Sequence, residues 1–91
     1  MEQDNQKINP HELARSCEYQ IKEVIAKKFS VSPDELELLL GDKDGVYMSQ
    51  EEPNTLCCLV VGRKNGFLYL VTGKIEENGK SVTGLKTDII S

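Results

Sequence analysis

Apolar residues recur at helical spacing through the first third of the chain. Leu13, Cys17, Ile21, Val24 and Ile25 fall on one face at a period of about 3.6. Asn9, Pro10 and Glu12 stand where a cap, a first helical residue and a capping-box acid belong, and Ile8 and Leu13 hold the positions of a hydrophobic staple. Glu18–Lys22 and Glu23–Lys27 make favourable i, i+4 pairs, and Lys27 and Lys28 suit the negative end of the dipole. The pattern predicts one amphipathic helix over residues 10–28, behind a polar, flexible stretch at 1–9. The same grammar repeats with Ser32, Pro33 and Glu35, and Val31 can staple to Leu36. Leu36, Leu39 and Leu40 then give an apolar stripe that Gly41 stops, which predicts a second, short helix over 33–40.

After Gly41 the period changes. Short or continuous apolar runs at 46–49, 55–61, 67–75 and 80–87 read as strands, separated by turn signals. Asn65-Gly66 and Asn78-Gly79 mark tight hairpins, so the last three strands are antiparallel neighbours. Gly73 and Gly84 inside strands suggest bulges or close backbone approach. The expected fold is α+β: a long N-terminal helix and a short second helix packed on a four-stranded antiparallel β-meander, forming a single domain over 10–91.

The central strands do not alternate between apolar and polar. Leu56, Cys58 and Val60 take one face and Cys57, Leu59 and Val61 the other; Phe67, Tyr69 and Val71 oppose Leu68 and Leu70. Antiparallel sheets with one wet face alternate, so both faces here call for cover. The long helix covers one. The other, with Cys57, Leu59, Val61, Leu68 and Leu70, is expected to be a dimer face or to line a pocket, and symmetric pairing is the commonest assembly.

Composition narrows the class. Ninety-one residues with 38% hydrophobic and 29% charged side chains suit one small domain with a modest core. The longest apolar run, Leu56–Val61, falls far short of the roughly 20 residues a bilayer span needs. The polar start lacks a leader pattern, and the odd set Cys17, Cys57 and Cys58 lacks metal-type spacing, so reduced thiols and a cytoplasmic location are expected. Adjacent strand cysteines point to opposite faces and neither chelate one ion nor pair easily.

The net charge of −4 is concentrated in the middle of the chain. Over residues 29–54, Asp34, Glu35, Glu37, Asp42, Asp44, Glu51 and Glu52 stand against Lys43 alone. Such a stretch disfavours a phosphate backbone and favours a basic protein surface or a cation.

Candidate chemistry is sparse. The one histidine, His11, lies in a first helical turn without an acid partner beyond Glu12, and no pair of mid-chain acids is singled out for acid–base work. No phosphate-loop or dinucleotide glycine pattern occurs. Laid on the twelve-residue calcium loop, 40–51 places Asp42, Asp44, Gly45 and Glu51 at the third, fifth, sixth and twelfth positions. Leu40, however, stands where the first ligand oxygen is required, and Pro53 blocks a normal exit helix. Residues 21–36, IKEVIAKKFSVSPDEL, are similar to the first helix and following loop of acyl carrier proteins, but no Asp-Ser-Leu attachment motif follows and the chain turns to strands.

The sequence therefore points to a small acidic protein-interaction module, of chaperone, immunity-protein or inhibitor type. It is expected to be homodimeric, non-enzymatic and free of cofactor and metal, and to meet a basic partner through 34–52. Neither nucleic acid nor membrane is expected as a partner. The alternative is a ligand-binding or enzymatic domain with an apolar pocket between helix and sheet, lined by Tyr69, Leu70, Cys57 and Leu59.

Overall fold

The helical segment begins as its cap dictates. In the computed structural model, which describes residues 9–41 and 44–91, Asn9 Oδ1 accepts the backbone N–H of His11 at 3.0 Å and of Glu12 at 3.3 Å. Ile8 of the proposed staple, the rest of the 1–8 stretch, Asp42 and Lys43 lie outside the described residues. The helix is not continuous over 10–28. It forms α1 (Pro10–Ser16) and α2 (Glu18–Phe29), broken at Cys17, where φ is −102° and ψ is 13°. No Gly or Pro causes the break. Ser16 Oγ donates to the carbonyl of Glu12 at 3.1 Å, a back-bond of the kind that bends helices. The bend lets α1 pack on the sheet's outermost short strand while α2 lies over its opposite edge. Ser30, left-handed at φ 58°, ends α2.

The second helix is not formed. Ser32 caps and Pro33 leads as expected, but only a 3-10 turn results (Pro33–Glu35), followed by strand β1 (Leu36–Leu38). Leu36 and Leu38 are buried and Glu37 is exposed. That is a period of two, which the LELLL run satisfies as readily as the helical one. A tertiary contact decides between them: β1 pairs with an edge of the long central strand that would otherwise carry unpaired N–H and C=O groups.

Five strands, not four, are described: β1, β2 (Val46–Met48), β3 (Thr55–Gly62), β4 (Leu68–Ile75) and β5 (Val82–Ile89). All pairings are antiparallel. The sheet runs β1-β3-β4-β5, with β2 also on β3. β1 and β2 are successive stretches of one interrupted edge strand. Leu38 opposes Val60, Leu39 N donates to Leu59 O at 3.1 Å, Leu59 N donates to Gly45 O at 2.7 Å, and Val46 opposes Cys58. The chain leaves the ladder after Leu39 and re-enters at Gly45.

Both hairpin signals mark turns, with Gly66 at φ 74° and Gly79 at φ 69°. The second is wider than a two-residue loop, because β4 ends at Ile75 and β5 starts at Val82, with Gly79 N donating to Glu76 O at 2.9 Å. The bulge expected from Gly73 and Gly84 is present. Register shifts between Thr72–Lys86 and Lys74–Thr83, and Gly84 is left-handed at φ 63°. Val82 faces the helices before the bulge; Leu85 and Thr87 do so after it. A Cβ on Gly73 would sit 2.3 Å from Val82 Cγ1 and 2.7 Å from Leu85 Cδ2, so the bulge closes over a residue without a side chain.

The core lies between the helices and one face of the sheet. Leu13, Ala14, Cys17, Ile21 and Ile25 meet Leu36, Leu38, Val46, Leu56, Cys58, Val60, Tyr69 and Val71. Every one of the sheet residues belongs to the same set of alternate positions.

Candidate functional site: the open face of the sheet

The opposite set of positions has no described helix on it. Reading the register outward, Thr55, Cys57, Leu59 and Val61 of β3 stand beside Lys74, Thr72, Leu70 and Leu68 of β4. Glu37 of β1 and Tyr47 of β2 flank β3, and Lys86, Asp88 and Ile90 flank β4. Leu59, Val61, Leu68 and Leu70 are half-buried, and none joins the core. Tyr47 is 41% exposed and Ile90 50% exposed at the two sides of this band. The five apolar residues that sequence reasoning set together thus share one surface. Tyr69, grouped with three of them around a single cavity, lies on the other side of the sheet, fully buried.

The six described acids of the middle segment are not one patch. Asp34 and Glu35 sit in the 3-10 turn, where the Arg63 guanidinium donates to the Asp34 carbonyl and Lys64 pairs with Glu35 at 3.6 Å. Their surroundings are already basic. Glu37 points outward on β1. Asp44, Glu51 and Glu52 line the open face beside Tyr47 and Cys57. Ser49 holds the loop that carries the two glutamates, its Oγ accepting from the N–H groups of Glu51 at 3.2 Å and Glu52 at 3.1 Å.

This loop and the sheet enclose an open groove of ≈ 840 Å³, floored by Cys57, Leu70 and Thr72 and closed on the far side by Lys86. Tyr47, Thr72, Lys74 and Lys86 also belong to this surface, beyond the residues expected from the sequence. The signal for Lys86 was Gly84, since a bulge there fixes which β5 residues turn outward.

Charge is unevenly spread across the face. Asp44, Glu37, Glu51 and Glu52 occupy the β1–β2 side, and Lys74 and Lys86 stand on the β4–β5 side, where Glu76 and Glu77 line a hollow with Lys74. Asp88 lies on this side too, where Lys28 reaches over from α2 and binds Asp88 Oδ1 at 3.1 Å and Thr87 O at 2.7 Å.

The thiols are held protonated. Burial raises the Cys57 thiol, the Tyr47 phenol lowers it in part by hydrogen bonding, and Glu52 raises it further. Burial likewise raises Tyr47, aided by the adjoining Cys57. Cys58, on the core side, is pushed up to about 12 by burial first and then by Cys57 and Cys17. A thiol kept neutral is a poor nucleophile and metal ligand.

The sign of the resulting pH dependence follows. Below the ordinary thiol value of 9.0 both folded and unfolded chains carry the proton; above it the unfolded chain ionises while folded Cys58 does not. Stability is therefore full below pH 9 and is lost toward pH 12. Between pH 8 and pH 10.5 the loss is expected to be on the order of 2 kcal/mol. Urea midpoints at the two pH values measure it, and Cys58→Ala reduces the drop.

Among the described residues, no helix is long and apolar enough to cross a membrane. Comparison with known proteins returned no matching family model, no matching curated protein and no matching solved structure.

Proposed function

We propose that this protein is a small interaction module that docks on a protein surface through the open face of its sheet, with no chemistry of its own. The observation that supports the reading is the band of Leu59, Val61, Leu68 and Leu70, which lies between charged flanks and is covered by no described helix. Apolar surface gains about 25 cal/mol for each Å² removed from water, so four adjoining aliphatic side chains favour a partner by several kcal/mol. The acids at Glu37, Glu51 and Glu52 set the charge of that partner, favouring a basic surface. Asp34 and Glu35, neighboured by Arg63 and Lys64, contribute little to this attraction.

Position-specific photo-crosslinking tests the reading. A photoreactive residue at Leu59 or Leu70 is expected to join the protein to another polypeptide chain in producing cells, whereas one at exposed Tyr19 on α2 is not. Equal yields at all three positions, or none at Leu59 and Leu70, rejects the open face as a docking surface.

A further inference from the structure

We propose that the partner on the open face is a second copy of this chain, packed face to face about a two-fold axis parallel to the strands, with Glu51 and Glu52 of one copy over Lys74 and Lys86 of the other. The inference rests on the reading of the face as a docking surface and names its occupant.

Charge layout selects both the partner and the axis. In the row Tyr47–Cys57–Thr72–Lys86, the acidic loop stands at one end and a lysine at the other. The next row outward from the centre ends in Lys74 and Thr83 opposite Thr55. The surface therefore carries Lys74 and Lys86 across an apolar strip from Glu51 and Glu52. A two-fold axis lying in the interface and parallel to the strands keeps each row at its own level and exchanges its ends. Glu51 and Glu52 of each copy then meet Lys74 and Lys86 of the other, twice over. An axis perpendicular to the strands would set acids over acids and lysines over lysines. The first axis also leaves the two sheets close to aligned, the packing that twisted sheets prefer.

The area falls at the lower end of what specific pairs bury. Four strands about 4.8 Å apart and eight residues of about 3.3 Å rise span roughly 500 Å² of plane, before the side walls of the groove are added. Smaller specific interfaces bury about 600 Å² on each partner. The centre of the pair would hold Leu59, Leu70, Val61 and Leu68, and the polar rim would hold the repeated Glu–Lys contacts, as in specific interfaces generally.

Sedimentation of the purified full chain tests this against concentration and salt. The wild-type chain is expected to be a dimer at micromolar concentration, weakened at least tenfold between 50 mM and 500 mM salt. Leu70→Glu is expected to be monomeric, with an unchanged far-ultraviolet circular dichroism spectrum. Two charge variants, all at exposed positions, carry the axis: Lys74→Glu with Lys86→Glu, and Glu51→Lys with Glu52→Lys. Each alone is expected to dimerise at least tenfold more weakly than wild type, and an equal mixture of the two to recover a heterodimer. A wild-type chain that stays monomeric at 100 µM overturns the proposal, and so does a dimer indifferent to Leu70→Glu. Single-flank variants as tight as wild type overturn the axis. The two readings fail separately: crosslinks from Leu70 only to a different polypeptide leave the docking face in place and remove the second copy.

Discussion

Tyr69→Ala is expected to lower folding stability by about 4 kcal/mol, the largest loss from any single side chain here. Tyr69 is fully buried at the centre of the sheet's inner face. Its ring meets Phe29 of α2 at 5.4 Å between centroids and Phe67 at 6.3 Å, edge to face with the latter, so it joins helix, strand and hairpin. Its hydroxyl accepts from Asn65 Nδ2 at 3.0 Å, while Asn65 Oδ1 accepts the N–H of Phe67 at 2.9 Å. The β3–β4 turn is thereby tied to the core. Truncation empties a ring-sized space that neighbours from two elements line, and such cavities relax only in part. Tyr69→Phe separates the two contributions. It keeps the ring and loses one hydrogen bond whose donor is exposed to solvent, so about 1 kcal/mol is expected. Urea unfolding of both variants measures the ratio. A Tyr69→Phe loss equal to that of Tyr69→Ala would show that the hydroxyl, not the ring, holds the fold.

Gly45→Ala is expected to cost about 3 kcal/mol, out of proportion to the single methyl group added. Gly45 is the point at which the interrupted edge strand rejoins β3. A Cβ there would lie 2.1 Å from the carbonyl oxygen of Leu39 and 2.8 Å from its Cβ. The obstacle is backbone, which cannot rotate aside as a side chain does. Either β1 or β2 must shift, and each is held by ladder bonds to β3, including Leu39 N to Leu59 O and Leu59 N to Gly45 O. Gly41→Ala is the control. Nothing described lies within 4 Å of a Cβ on Gly41, so that change is expected to leave stability within about 0.5 kcal/mol. Equal losses at the two glycines, measured by urea midpoint, would contradict the interrupted-strand geometry. Loss of amide protection at Leu59 in Gly45→Ala alone would support it.

The two faces of β3 and β4 are legible in the alternation of their residues. Leu59, Val61, Leu68 and Leu70 stand on one face and Tyr69, Val60 and Val71 on the other, as a period of two requires. The acidic segment is less legible. Contiguity from Asp34 to Glu52 suggested one patch, yet the chain between them turns through a 3-10 turn, leaves the edge strand after Leu39 and re-enters it at Gly45. Asp34 and Glu35 end beside Arg63 and Lys64, on residues more than 25 positions away. The opposing lysines of the open face come from β4 and β5, and the outward position of Lys86 depends on the bulge at Gly84.

Caps, turn glycines and the bulge are written locally in the chain. Asn9 and Ser32 cap, Gly66 and Gly79 take the left-handed region at turns, and Gly84 does so at the bulge, because each needs only its own backbone and a few neighbours. What depends on a distant hydrogen-bonding partner is settled only by the fold. LELLL becomes β1 rather than helix because the upper edge of β3 offers it a ladder, and β2 continues the same edge. The placement of Glu51 and Glu52 across the sheet from Lys86 is likewise a matter of register, which no stretch of sequence contains by itself.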